Sequence, residues 1–332
     1  MTRVLLWLSG IAAVALIAGA VALALMLRAP GPTLSGPVTI NVEEGARFAD
    51  VAAELRRHGV LRHPLALALW ARVTRQDRGV HWGEYLITVP LSPLELLARI
   101  TGPPDPLHAV TVPEGLTVRE VTTLLAAAGF GSEESFRCIL EDPDFLAAEG
   151  LPPEGAEGYL FPDTYNFPLA IPQDRILRAM VRHFHDVFGP ALELRALDLG
   201  LTTAQAVTLA SLVEEETARP EERPLVAAVF LNRLRRGMPL QSDPTVLYGR
   251  EPHDRIITRA DLRRATPHNT YTMTGLPPTP IGNPGRASLE AAVSPAPVDY
   301  LYFVARGDGT HEFSSSLAAH NAAVARFQRA QR

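Results

Sequence analysis

The chain has 332 residues, 47% of them hydrophobic, and a formal charge of −5. That size suits about two domains with buried cores. Acidic residues outnumber basic ones, so nucleic acid is not an expected partner. Every basic side chain is Arg, and Cys138 is the sole cysteine, which excludes an intrachain disulfide and a Cys-ligated zinc site.

Val4 to Leu27 is an apolar run bounded by Arg3 and Arg28. At ~1.5 Å rise per residue it spans about 36 Å, enough for a ~30 Å hydrocarbon core with some tilt. A cleavable signal peptide competes with this reading, and Ala18-Gly19-Ala20 imitates a cleavage site. The run, however, exceeds an h-region of ~7–15 residues. We therefore expect residues 1–28 to be a cytoplasmic tip and single-pass anchor in the inner (cytoplasmic) membrane. Arg3 keeps the N-terminus cytoplasmic, and the remainder lies in the periplasm or outside the cell.

Residues 29–37 are rich in Pro, Gly and Ser and read as a tether. An internal repeat follows. Ile40-Asn-Val42-Glu-Glu44-Gly45 with Val51, Leu55 and Gly59 recurs, seventy residues on, as Val110-Thr-Val112-Pro-Glu114-Gly115 with Val121, Leu125 and Gly129. Each copy reads as a strand, a Gly turn and an amphipathic helix closed by a C′ glycine. A linking helix (64–73) and a hairpin-like stretch (80–89) complete a small α+β module over residues 38–150. Such units are common in glycan-binding modules. A packed spacer fits equally, since only Trp82 and Tyr85 offer a sugar platform.

The acidic, Pro-bearing stretch 136–155 marks the boundary to a larger domain, 151–332. Expected helices are 172–188, 202–216, 221–236, 287–293 and 316–329, with a hairpin 300–313 around Gly307-Asp-Gly309. His183 and His185, two apart on a helix, face different ways and make a poor metal site; no metal ligand set occurs elsewhere. Around Gln241 to Tyr248, Asn269 to Pro278 and Pro280 to Gly285 run long loops dense in hydrogen-bonding side chains, a form often functional.

The helix 202–216 organises the domain. Taking Leu209 as zero and ~100° per residue, Glu216 lies near −20°, inside the apolar stripe of Ala206, Leu209, Leu212 and Val213. Glu214 (near 140°) and Glu215 (near −120°) fall to either side on the same count. Burial and the negative end of the helix dipole both favour the protonated form of Glu216, as a general acid requires. The plain alternative is a capping or Arg-paired glutamate. Loops rich in Asn, Gln, Ser, Thr and Tyr suit a neutral polar polymer such as a glycan. No phosphate-binding Gly loop, Gly-x-Ser-x-Gly elbow or Cys–His signature is present, and no cofactor is implied.

Several motifs in fixed order resemble the endolytic murein transglycosylase (YceG-like) family. They are Glu157-Gly-Tyr-Leu-Phe-Pro-Asp-Thr-Tyr165, Ala210-Ser-Leu-Val-Glu-Glu-Glu-Thr217, Asn232-Arg-Leu234, Leu240-Gln-Ser-Asp-Pro-Thr245 and Asn269-Thr-Tyr271. Thr274-Gly-Leu-Pro-Pro278, Tyr300-Leu-Tyr-Phe303 and His320-Asn321 extend the match. The resemblance implies an anchor, a LysM-like α+β module, and a mixed α+β catalytic domain with a lysozyme-like central helix. It makes Glu216 the catalytic residue. It also implies lytic cleavage of the MurNAc–GlcNAc β-1,4 bond of nascent glycan strands, leaving 1,6-anhydro-MurNAc ends and terminating strand elongation. Where the family often has a basic residue, this chain has Glu215.

Groove roles are expected for Glu157, Glu214, Asn232, Gln241, Ser242, Asp243, Thr245, Tyr248, Asn269, Tyr271 and Asn321. Glu214 either orients substrate or pairs with an Arg such as Arg233. Asp243 or Glu157 as a second carboxylate would permit hydrolysis, a muramidase reaction. A non-catalytic glycan-binding scaffold is the third reading. Expected partners are peptidoglycan strands and peptidoglycan synthases (penicillin-binding proteins).

Overall fold

A computed structural model describes residues 2–43, 45–169, 171–250 and 257–327, with side chains from residue 13 onward. Among these residues it is a mixed α+β structure with three two-stranded sheets. The chain forms two compact units, one of residues 1–108 and 167–172, the other of 109–166 and 173–332.

The first unit contains α1 (Thr2–Arg28), β1 (Val38–Val42), α2 (Phe48–Arg57), α3 (Pro64–Val73), β2 (Gly83–Ile87) and α4 (Pro93–Thr101). β1 and β2 run antiparallel with Ile40 opposite Tyr85. The stretch 80–89 is thus one strand that completes a sheet with β1, rather than a hairpin of its own. Burial drives this choice, since Ile40 and Val42 of β1 and Tyr85, Leu86 and Ile87 of β2 are all buried. They meet Val51 and Leu55 of α2, Leu67 of α3, Leu96 and Ile100 of α4, and Leu27 from the last turn of α1. α4 begins with a reciprocal Ser92–Glu95 capping box.

Among the described residues, no single helix is long and apolar enough to cross a membrane. The helix α1 covers the apolar run 4–27, and its described apolar stretch is Ala13–Arg28.

The repeat is a repeat of structure. β3 (Leu107–Thr111), α5 (Val118–Ala127), α6 (Glu133–Leu140) and β4 (Thr164–Pro168) reproduce the strand–helix–helix–strand order of β1, α2, α3 and β2, with α7 (Pro143–Ala148) inserted, and β3 pairs with β4. α2 and α5 lie seventy residues apart and end identically. Val60 N donates to Leu55 O, as Phe130 N donates to Leu125 O. Gly59 (φ 71°) and Gly129 (φ 89°) occupy the left-handed position that closes each helix. The second copy belongs mostly to the second unit, and the compact units divide near residue 108.

The rest of the second unit is α8 (Gln173–Val187), α9 (Pro190–Asp198), α10 (Thr203–Glu216), α11 (Arg223–Arg235), α12 (Pro244–Leu247), α13 (Arg286–Val293), the β5 (Tyr302–Ala305)–β6 (His311–Ser314) hairpin and α14 (Leu317–Phe327). Thr202 caps α10 in a box with Gln205. α10 packs against α9, α11, α12 and α13, and every residue from Ala206 to Val213 is buried. A helix buried on all sides is the central member of a cluster, not an amphipathic surface helix.

Candidate active site

The last residue of α10 is Glu216, and its carboxyl is met by a loop. Ser242 Oγ donates to Glu216 Oε1 at 2.5 Å. No partner for Oε2 occurs among the described residues. Burial raises the Glu216 pKa to about 7; the Ser242 hydrogen bond and the field of Arg233 oppose it, while Asp243 and Glu215 add to it. The side chain is therefore a carboxylic acid for much of its population near neutral pH.

Ser242 is held where it is by its own network. Ser242 N donates to Thr270 Oγ1 at 2.9 Å. Thr245 Oγ1 donates to Ser242 O at 2.6 Å and lies 2.9 Å from Thr270 Oγ1. The preceding residue, Gln241, has φ 53°, a left-handed conformation costly for a non-glycine residue. It persists because both sides grip it: Gln241 N donates to Thr270 O at 3.1 Å, and Gln241 Oε1 accepts from Arg233. The buried Arg233 guanidinium also donates to Leu240 O (2.7 Å) and Leu301 O (2.6 Å) and lies over the Tyr302 ring. Arg233 thus fixes the loop that carries Ser242.

The helical projection puts Glu214 off the buried stripe, with an Arg such as Arg233 as a possible partner. The structure pairs it with Arg223, Nη2 to Oε1 at 2.8 Å, and the pair is buried. Glu214 Oε2 accepts from Gly285 N at 2.9 Å, which satisfies a free amide at the start of α13. The same guanidinium reaches Glu114 at 3.5 Å. Because α10 is enclosed, Glu214 and Glu216 both point into protein, and only Glu215 of the three is exposed.

The remaining expected residues divide by what their side chains touch. Asp243 is exposed and accepts from the Tyr271 hydroxyl at 2.6 Å. Glu157 accepts from Val118 N (2.9 Å), at the start of α5, and from the Tyr248 hydroxyl (3.1 Å). Burial pushes the Glu157 pKa up to about 7 against those two bonds. Tyr248 packs on His268, which bonds Thr279. Asn269 is buried, and its amide donates to the carbonyls of Asp261, Leu262 and Arg264, tying one loop. Asn232 donates to Val298 O and Tyr300 O. Asn321 is exposed on α14.

Further supports of the site carry roles that their residue types do not reveal. Thr270 sits inside the Asn269-Thr-Tyr271 motif, yet nothing in its residue type marks it as the hub under Ser242. Arg233 lies in the Asn232-Arg-Leu234 motif, and its residue type suggests an ion pair with Glu214 rather than a grip on the loop. Just past Glu216, Thr217 Oγ1 donates to Glu222, whose carboxylate accepts from His311 N (2.8 Å) and His311 Nδ1 (2.7 Å). This pins the end of α10 to the β5–β6 hairpin. Burial would raise the Glu222 pKa, but the His311 bonds and charge prevail and hold it low.

The fold and site define a class: a mixed α+β domain whose central helix ends on a carboxyl group with a raised pKa. The chain matches the YceG-like family model over residues 40–326 and belongs to that family. It is 30% identical to the endolytic murein transglycosylase of Bacillus subtilis over 307 residues, 87% of this chain and 84% of that protein. It is 28% identical to the protein of the same name from Streptococcus pneumoniae D39, covering 81% of this chain but 54% of that longer protein. The crystal structure of a YceG-like protein from Listeria monocytogenes matches with TM-score 0.59 at 26% identity, over 87% of this chain and 99% of that one.

Proposed function

We propose that the chain is a membrane-anchored, endolytic peptidoglycan lytic transglycosylase with Glu216 as its catalytic acid and base. The observation that carries this reading is the Glu216 carboxyl, with one oxygen fixed by Ser242 and the other without a partner among the described residues, at a pKa of about 7. Protonated Glu216 donates to the oxygen linking MurNAc to GlcNAc. As the carboxylate so formed, it accepts the proton of the MurNAc C6 hydroxyl while that oxygen closes on C1. The bond to the leaving GlcNAc breaks, a 1,6-anhydro bond forms, and the proton returns to Glu216 without water entering. One group in both roles needs no second catalytic carboxylate. The names of the relatives support the substrate and the reaction class. Exposed Gln241 and Asp243 and half-buried Tyr271, on the loops around Ser242, are candidates to line the sugar groove. The anchor is α1, and a glycan-contacting role for the LysM-like repeat belongs to the same reading.

Hydrolysis is the second reading, and one observation favours it. Asp243 adjoins Ser242 and its field acts on Glu216, which makes its carboxyl the candidate second group for activating a water. Mass spectrometry of glycans digested by the parent and by Glu216→Gln decides both points. Anhydro-ended products from the parent, lost by ~10²–10⁴-fold in the variant, are the expected result. Reducing MurNAc ends would make the enzyme a muramidase, and an undiminished variant would remove Glu216 from the chemistry.

A further inference from the structure

α3 turns one face into its unit and leaves the other in the open. Leu67 and Ala71 are fully buried, whereas Leu65, Leu69 and Val73 are 84%, 55% and 70% exposed. At ~100° per residue, Leu69 and Val73 fall within about 80° of Leu65, with Arg72 about 20° to the other side. Three large apolar side chains in an uninterrupted row on a surface helix are costly in water.

The surroundings of that row name its occupant. Arg62 and His63, which lead into α3, line one shallow cavity with Met26, Ala29 and Pro30 at the end of α1. Leu23 and Leu27 of α1 are packed into the core that α3 shares. The exposed row therefore belongs to the unit that holds the last turn of the apolar α1 helix. Basic side chains crowd it: Arg62, Arg72, Arg75 and Arg78 against Asp77 alone in residues 62–78, in a chain of net charge −5. Arg62, Arg72, Arg75 and Arg78 are all exposed. An apolar row with arginines at its ends is the composition of a helix seated in an anionic lipid headgroup layer, the aliphatic stems lying along the row and the guanidinium groups among phosphates. Trp82, 66% exposed in the same unit, is a residue type enriched at that depth.

We propose that α3 lies in the membrane surface, with Leu65, Leu69 and Val73 in contact with acyl chains and the flanking arginines with anionic headgroups. The first unit is then held against the bilayer by two attachments, α1 and α3, rather than hanging from α1. This rests on α1 being embedded in the membrane, as proposed above.

The test uses the full chain carrying Cys138→Ser, reconstituted in vesicles of phosphatidylglycerol and phosphatidylcholine. A nitroxide is placed through Leu65→Cys, Leu69→Cys or Val73→Cys, through Ile17→Cys in α1, and through Leu197→Cys, an exposed apolar site of α9. Relaxation by oxygen, which favours lipid, is compared with relaxation by a water-soluble nickel chelate. The expected result is a several-fold higher oxygen-to-nickel ratio at 65, 69, 73 and 17 than at 197. A lipid-like Ile17 site with water-like α3 sites overturns the α3 proposal, leaves the anchor standing, and points to a protein partner for the row. Water-like readings at both overturn the anchor and the proposal together.

Discussion

At Glu216 the two carboxyl oxygens have separate surroundings, and this makes the Ser242 hydroxyl a tuning group rather than a passive neighbour. Its hydrogen bond favours the ionised form, so its loss raises the Glu216 pKa further above the present value of about 7. For a general acid the protonated form is active, and kcat/KM falls as pH rises through that pKa. Ser242→Ala is expected to move the alkaline limb of the kcat/KM profile to higher pH; a limb that stays or moves down would refute the assignment. An acidic limb abolished by Asp243→Asn would instead support an ionised second carboxylate, as hydrolysis needs. Glu157 allows a separate check through stability. Its folded pKa of about 7 lies above the ordinary carboxylate value of 4.5. Between those values the unfolded chain has released a proton that the folded chain keeps, so stability falls with rising pH across that window. Glu157→Gln resembles the neutral acid, and its thermal midpoint is expected to gain on the parent's between pH 5 and pH 8.

The elements around the site are joined by a few buried polar contacts, and these are where single changes do most harm. The Arg223 guanidinium ties α11 to α10 through Glu214 and to the second repeat copy through Glu114. Glu214→Ala leaves Arg223 buried with only the longer Glu114 contact and strips the Gly285 amide of its acceptor. The expected cost is about 3–5 kcal/mol, read by denaturant or thermal unfolding. Close backbone approach is a second kind of joint. Gly115 N donates to Asn283 O, and Asn283 N donates to Leu116 O. A Cβ on Gly282 would lie 2.3 Å from the Gly115 carbonyl oxygen, a backbone atom with no rotamer to escape through. Gly282→Ala is therefore expected to lower the thermal midpoint clearly, whereas at Gly36, where a Cβ meets nothing within 4 Å, the same change should have little effect.

Across the whole molecule, the sequence alone determined most of what repeats or has a period. The seventy-residue repeat, the caps at Gly59 and Gly129, the hairpin around Gly307-Asp-Gly309 and the position of Glu216 at a helix end are local patterns. Local patterns follow from steric rules that act between near neighbours. Partners across long separations were not legible. No spacing rule says that Glu214 meets Arg223 rather than Arg233, that Thr270 lies beneath Ser242, or that β2 pairs with β1 instead of folding on itself. The helical projection assumed one buried stripe, and α10 has none, because four helices enclose it. Once a helix is covered on every side, its own sequence no longer says which carboxylate finds a cation and which meets only a hydroxyl. Packing of the surrounding elements decides that, since burial and hydrogen-bond partners, not residue type, set the proton affinity of a carboxyl group.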